Sequence, residues 1–105
     1  MSNVEPSKEE KVTDYNLTSQ RINRKAEILR EEMDDETLLF NPKTRKTYVL
    51  NPMADVIWEL CDGMHSPEEI TDEIVSVLDV DPDIVSKDVS NVLNEFVRQN
   101  LVEVD

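Results

Sequence analysis

The segment TYVLNPMADVIWELCDGMHSPEEITDEI, residues 47–74, contains the signals that decide the fold. It opens with β-branched and aromatic residues typical of a strand, and this pattern ends at Asn51. Pro52 suits the first position of a helix, where a missing N–H costs no internal hydrogen bond. Apolar residues then recur at helical spacing, namely Met53, Val56, Ile57 and Leu60. The segment therefore predicts a strand that passes directly into an amphipathic helix.

Two further helices are predicted after the first. Asp62-Gly63 marks the end of the first helix, with glycine as the left-handed cap. Ser66, Pro67 and Glu69 form a strong start signal, because serine caps, proline fits the first position and glutamate closes a capping box. The second helix carries an apolar stripe of Ile70, Ile74, Val77 and Leu78. The third runs from Asp81-Pro82 to Arg98, its stripe being Val85, Val89, Val92, Leu93 and Phe96.

A hairpin is predicted before the helices. Thr37–Phe40 and Lys46–Leu50 are strand-like and flank the turn Asn41-Pro42-Lys43-Thr44, where proline presets the φ angle that a type I turn requires. Arg45 stands where such hairpins usually place glycine with a positive φ, at a cost of about 1 kcal/mol. Leu101–Val104 is expected to return as a short packed strand.

The segment before the hairpin carries two patterns. Ile22, Ala26, Leu29 and Met33 stand at helical spacing, although the segment leads into a β-like run, and the spacing alone favours a helix. Residues 1–22 are polar and are expected to be a flexible tail, because they lack the apolar side chains that offset ordering entropy. Residues 23–105 form one domain. The predicted fold is α+β and winged helix-turn-helix-like, with an N-terminal two- or three-stranded antiparallel sheet followed by three helices.

Composition limits the kind of protein. The chain has 105 residues, 38% of them hydrophobic, and a domain of this size buries only about 60 to 65% of its unfolded surface. It has no run of 18 apolar residues and no apolar signal-peptide core, so we expect a cytoplasmic protein without a membrane segment. Cys61 is the only cysteine, which rules out an intramolecular disulfide.

The charge is unevenly distributed. The net charge is −13, and residues 51–105 hold 14 Asp and Glu against only Lys87 and Arg98. Duplex DNA binding requires cations at several phosphates, so nucleic acid is not an expected partner. The simplest alternative is that the acidity only keeps a small protein soluble.

No catalytic constellation is present in the sequence. His65 lies near Cys61 and Asp62, but three mixed residues in a tight turn lack the spacing of a metal site, and we interpret His65 as a solvent-exposed turn residue. The carboxylates of Glu68, Glu69, Asp72 and Glu73 fit a solvated helix face better than an acid/base pair. Cys61 and Trp58 are expected in the core. We therefore expect no enzyme activity, no metal and no cofactor.

The binding site that the sequence favours is a strand edge. An exposed edge presents unpaired N–H and C=O groups, and Lys46–Leu50 lacks the internal proline and alternating charges that discourage pairing. An incoming peptide would add as a strand to Lys46, Thr47, Tyr48, Val49 and Leu50. Its side chains would meet the third helix, where Val85, Val89, Val92 and Phe96 divide between the core and a groove, and Asp88 and Glu95 meet Lys or Arg of the peptide. Alternatively, the whole stripe is buried core.

The chain resembles the PqqD family over about residues 23–104. The resemblance rests on LLFNPKTRKTYVLN, on the helix that contains Trp58 and ends at CDG, on SPEEI, and on Asp88-Val89 with Leu93. It implies a strand near Glu27–Met33 and a RiPP recognition element, a winged helix-turn-helix domain that binds the leader region of a ribosomally made precursor peptide. It also assigns peptide binding to the strand and helix residues just named. The NPKTRK turn departs from the glycine-containing turn expected in the pyrroloquinoline-quinone protein itself.

The leading hypothesis is a non-catalytic peptide chaperone that presents a precursor peptide to a maturase, commonly a radical S-adenosylmethionine enzyme, in the biosynthesis of pyrroloquinoline quinone or a related product. One alternative is a DNA-binding winged-helix regulator, against which the acidity argues. Another is a structural subunit that forms a homodimer through the same strand edge.

Overall fold

The computed structural model describes residues 20–104. In chain order the elements are the strands β1 (Ile22–Arg24), β2 (Leu29–Met33), β3 (Glu36–Asn41) and β4 (Lys46–Leu50), the helices α1 (Pro52–Leu60), α2 (Pro67–Leu78) and α3 (Pro82–Arg98), and the strand β5 (Val102–Val104). Strands and helices thus segregate along the chain, which confirms the α+β class with antiparallel strands followed by three helices.

The strands form two antiparallel sheets. The larger sheet has the order β2-β3-β4, and the smaller one pairs β1 with β5. In the smaller sheet Ile22 faces Val104 and Arg24 faces Val102, so the two ends of the described chain are held together. Ile22, which the sequence analysis placed at the end of the tail, is fully buried in β1. Residues 1–19 lie outside the described residues, and the flexible tail remains a prediction.

Each helix begins after a capping residue, and of the three caps Ser66 was predicted from the sequence. The Asn51 side chain accepts a hydrogen bond from the Ala54 N–H at 2.8 Å, and Asp81 accepts one from the Asp83 N–H at 2.9 Å. Ser66 and Glu69 form the capping box, with Glu69 N–H to Ser66 Oγ at 3.3 Å and Ser66 N–H to Glu69 Oε1 at 2.8 Å. These bonds satisfy N–H groups that have no partner inside the helix.

The core lies between the helices and the inner face of the larger sheet. Leu39 of β3, Ile57 of α1, Ile70 of α2 and Leu93 of α3 are all fully buried. The Trp58 and Phe96 rings meet edge to face, with centroids 5.4 Å apart, a geometry that favours aromatic pairs. Trp58 is therefore a core residue, as predicted.

The structure confirms two of the local predictions and contradicts two others. Arg45 does adopt a positive φ of 65° after the hairpin turn. The helix suggested by the spacing of residues 22–33 is wrong, because β1 and β2 occupy this segment; the strand implied by the resemblance is confirmed.

Gly63 has a φ of 82° but does not cap α1, which ends at Leu60 with Cys61 as its cap. Instead, the Gly63 N–H donates to the Ile22 carbonyl at 2.8 Å and joins the turn to β1.

Within residues 20–104, none of the helices is both long enough and apolar enough to cross a membrane.

Replacing Ser66 with Ala should lower the free energy of unfolding by about 1 kcal/mol, because the Glu69 N–H at the start of α2 loses its acceptor. Urea denaturation followed by circular dichroism measures the change. The matched control is Ser76→Ala, whose exposed hydroxyl bonds to a carbonyl of its own helix and whose loss should cost less than about 0.5 kcal/mol. Equal effects of the two substitutions would contradict the capping role.

Cys61 should be inert to thiol reagents in the folded protein. Its side chain is fully buried, and burial raises the pKa of the thiol to about 12, so only about one molecule in ten thousand carries the thiolate at pH 8. Ellman's reagent should label the protein in guanidinium chloride at least about 100 times faster than in buffer. Rapid labelling of the folded protein would show that Cys61 is accessible.

Candidate functional site

The β4 strand is an edge of the larger sheet. It pairs with β3 on one side, and no other strand among residues 20–104 pairs with its second side. Lys46, Thr47 and Val49 are exposed, Tyr48 is half-buried and Leu50 is 8% exposed. The five predicted strand residues therefore form one continuous edge whose polar main-chain groups are open to a further strand.

The register identifies which main-chain groups face outward. Met33 and Glu36 close the two-residue turn between β2 and β3, and such a pair exchanges main-chain hydrogen bonds. Hydrogen bonding then alternates along β3, so Thr37, Leu39 and Asn41 turn their main chain toward β4. The Arg45 N–H that donates to the Asn41 carbonyl at 2.7 Å agrees with this direction.

On β4 the partners of those three residues are Leu50, Tyr48 and Lys46. Their N–H and C=O groups are directed to β3, and the groups of the residues between them point the opposite way. Thr47 and Val49 therefore present their N–H and C=O groups to the open side of the strand. These four groups are the polar contacts that an added strand would use first.

One face of α3 approaches β4 at the C-terminal end of the helix. Asp88, Val92, Glu95 and Gln99 follow one another at spacings of four, three and four residues, which places them on one side of the helix and its cap. The Tyr48 hydroxyl donates to Gln99 Oε1 at 3.2 Å, which brings β4 next to the end of this face. A peptide on the β4 edge would thus have its inward side chains directed toward α3.

The predicted helix residues separate into two groups. Val85, Val89 and Phe96 are 1%, 1% and 3% exposed and belong to the core. Val92 is half-buried, whereas Asp88 and Glu95 are exposed. Most of the apolar stripe is therefore core, as the alternative interpretation held. Val92 is the apolar residue of the predicted helix set that reaches the surface.

Gln99 is a site residue that sequence reasoning missed. Its amide donates to Glu95 Oε2 at 2.8 Å while its carbonyl oxygen accepts from Tyr48, so it orders both sides of the proposed groove. Arg98 binds the other oxygen of Glu95 at 2.6 Å. The signal was present, because Gln99 stands four residues after Glu95 and seven after Val92, but its link to Tyr48 spans 51 residues.

Two arginines attach strands to α1. Arg30 of β2 binds Asp55 through two hydrogen bonds of 2.9 and 2.8 Å and lies 3.3 Å from Glu59; the bonds to Asp55 raise the pKa of the guanidinium. Arg24 of β1 donates to the Trp58 and Glu59 carbonyls at the end of α1, where a cation is favoured by the helix dipole. The Arg30 contacts position the larger sheet and hence the β4 edge, and the Arg24 contacts attach the smaller sheet to α1.

Two of the residues considered for catalysis, His65 and Glu69, have structural partners. His65 is half-buried rather than solvent-exposed, and its Nδ1 lies 2.9 Å from Asp62 Oδ1. Partial burial opposes ionisation of Asp62, but hydrogen bonds from His65 and the Met64 N–H outweigh it and hold the pKa of this carboxyl below its usual value. The Ser66 N–H lowers the pKa of Glu69 in the same way. No group of His, Cys, Asp and Glu in residues 20–104 is arranged to hold a metal ion.

Three solved structures share this fold. TbiB1 in complex with the TbiA(beta) leader peptide is 27% identical, with a TM-score of 0.67, and the match covers 77% of this chain and 94% of that one. A lasso peptide synthetase B1 complexed with its leader peptide is 17% identical with a TM-score of 0.69, over 79% and 98% of the two chains. The PqqD part of Methylobacterium extorquens PqqCD, a stand-alone RiPP recognition element, is 18% identical with a TM-score of 0.71, over 87% and 96%.

No curated protein matches this chain. The family model described as coenzyme PQQ synthesis protein D (PqqD) matches residues 36–102, from the first residue of β3 to the first residue of β5. The matched segment includes β4 and the whole of α3, which together form the candidate site. The chain belongs to the PqqD family.

Proposed function

We propose that this protein is a non-catalytic peptide chaperone that binds the leader region of a ribosomally synthesised precursor peptide by strand addition to β4. The observation that carries the proposal is the open edge of β4 beside the Asp88–Gln99 face of α3. Family membership supports it, as do the two similar structures that were solved with leader peptides bound.

The edge and the helix would make different contributions to binding. The N–H and C=O groups of Thr47 and Val49 are available to any peptide sequence, and they supply affinity. Sequence preference would come from the side chains that alternate toward α3, where Val92 offers an apolar contact and Asp88 and Glu95 offer carboxylates. Of the remaining predicted residues, Lys46, Tyr48 and Leu50 would border the peptide, while Val85, Val89 and Phe96 would support the helix from the core.

Presentation to an enzyme is the second part of the proposal. A bound leader holds the rest of the precursor near whatever enzyme the chaperone contacts, which raises the effective concentration of the substrate. We propose a radical S-adenosylmethionine enzyme as this maturase, in the cytoplasm, and a product related to pyrroloquinoline quinone; both follow from the family resemblance. A short peptide gene and a radical-enzyme gene beside the gene for this protein would support the assignment, and the absence of both would oppose it.

Replacing Val49 with Pro should weaken binding of the precursor leader by at least about tenfold, because proline removes an outward N–H that the peptide would use. The helices should stay folded, since proline is tolerated at a strand edge. Isothermal titration calorimetry with a synthetic leader from the neighbouring precursor gene measures the affinity, and circular dichroism checks the fold.

The matched control is Val49→Ala, which shortens a side chain that is 63% exposed but keeps the N–H. It should bind the leader within about threefold of the original protein, a difference below 1 kcal/mol. An unchanged affinity of the proline variant would refute strand addition at β4.

Replacing Asp88 with Lys should weaken a leader that carries Lys or Arg and should reduce the salt dependence of binding, because an exposed carboxylate next to the groove is lost. We expect a change of about three- to tenfold at low salt. The control is Asp72→Lys, an equal charge change at an exposed position of α2, outside the groove. Equal effects of the two variants would mean that Asp88 acts only through the net charge.

The two rival functions give different signals in the same samples. A structural homodimer that occupies the β4 edge would keep the mass of a dimer in sedimentation when the leader is added and would not bind the leader. A DNA-binding regulator would bind duplex fragments with a steep dependence on salt. Either result would contradict the proposed use of the edge.

A further inference from the structure

A second exposed apolar surface lies between α1 and α2. Val56 and Leu60 of α1 and Ile74, Val77 and Leu78 of α2 line a groove of about 250 Å³, together with Glu73. Val77 is 75% exposed, Leu78 48% and Val56 43%. Three large apolar side chains thus remain largely in water on two adjacent helices, an arrangement that marks interaction sites on small proteins.

This groove is separate from the proposed leader site. Its lining residues all belong to α1 and α2, whereas the leader site uses β4 and α3. The groove is apolar and is lined by two helices, as sites for amphipathic helices are. Both sites can therefore be occupied at the same time.

The charge around the groove indicates what binds there. Residues 51–86, which include α1, the turn after it, α2 and the start of α3, hold ten Asp and Glu and no Lys or Arg. The two arginines that approach α1 from the strands are already engaged, Arg30 with Asp55 and Glu59, and Arg24 with carbonyls at the helix end. On α2, Asp72 and Glu73 are exposed. The border of the groove therefore carries the Glu73 carboxylate and no Lys or Arg of α1 or α2.

A second copy of this chain does not fit that border. Two copies would bring the same acidic helices together, with a charge of −13 on each chain, and like charges at an interface cost binding energy. A complementary partner has the opposite charge at its rim and apolar side chains at its centre.

We propose that the groove between α1 and α2 is a second docking site, which takes an amphipathic helix whose apolar ridge is flanked by Lys and Arg and which belongs to a partner protein. Apolar side chains of that helix would fill the space above Ile74 and Leu60, and its cations would meet Glu73 and its acidic neighbours. In assigning the helix to the enzyme that modifies the bound peptide, the inference rests on the proposed function.

A synthetic helix tests the site without knowledge of the partner. The probe is a peptide of about 18 residues with Leu at helical spacing and Lys on both sides of the Leu stripe. Titration into protein with labelled Val, Leu and Ile methyl groups should shift the NMR signals of Val56, Val77 and Leu78. A matched peptide with Glu in place of Lys should bind at least about tenfold more weakly.

The decisive variant is Val77→Lys, which places a cation in the groove at an exposed helical position where lysine does not disturb folding. It should weaken the Lys helix by at least about tenfold. The control is Met33→Lys, which makes the same charge change at a 54% exposed apolar residue of β2 and should leave the affinity within about twofold.

Three results would overturn the inference: no binding of the Lys helix, equal weakening by the Met33→Lys control, or a dimer of the original protein that Val77→Lys converts to a monomer. Leader binding measured on the same variants keeps the two proposals apart. Val77→Lys should leave leader affinity unchanged, and Val49→Pro should leave the affinity for the Lys helix unchanged. Failure of one site therefore does not imply failure of the other.

Discussion

The packing of α3 against the rest of the molecule is the interaction on which this structure depends. Its buried apolar side chains, Val85, Val89, Leu93 and Phe96, belong to the core, and the helix contacts α1, α2 and β5. Phe96 meets Trp58 of α1, and Gln99 at the helix end meets Tyr48 of β4. A small domain buries little apolar surface, so a helix that contacts several elements accounts for much of what holds them together.

The same packing leaves one strand edge open. α1 follows β4 after a single capping residue, Asn51, and turns away from the strand direction to pack on α3. The chain then continues into α2 and α3, and returns at the far end to pair β5 with β1 instead of with β4. In most small sheets an edge of this kind is covered or made unsuitable for pairing. Here the main-chain groups of Thr47 and Val49 are kept available beside a helix that carries both apolar and acidic side chains.

The positions of the helices and strands show where the uneven charge lies in the fold. Nine of the eleven Lys and Arg residues lie before the helices, in residues 1–50, and Arg24 and Arg30 attach the sheets to α1. The helical side keeps its carboxylates exposed around an apolar groove and along α3. In such a molecule net acidity favours solubility, while the local pattern of carboxylates would favour the proposed partners that carry Lys and Arg. A role of the acidity in solubility is therefore compatible with a role in binding partners that carry Lys and Arg.

The sequence determined the local structure well. Asn51, Ser66 and Asp81 each offer a side-chain oxygen before a proline, and helices begin after all three, because capping and the restricted φ of proline act over only a few residues. The hairpin and the positive φ of Arg45 were also predictable from turn chemistry. The two strands in residues 22–33 could not be predicted from their spacing, because the spacing fitted a helix. β1 forms by pairing with β5 at the other end of the described chain, and β2 by pairing with β3 across a two-residue turn.

For the candidate site, the sequence predicted β4 and the acidic positions of α3, but the tertiary structure decided which of the predicted residues reach the surface. An apolar stripe shows that a helix face is buried without showing where burial stops, so Val85, Val89 and Phe96 could not be separated from Val92. The position of Gln99 beside β4 and the groove between α1 and α2 can be seen only in the tertiary structure. Contacts such as Tyr48 with Gln99 join residues 51 positions apart, and no local pattern encodes a distance of that kind.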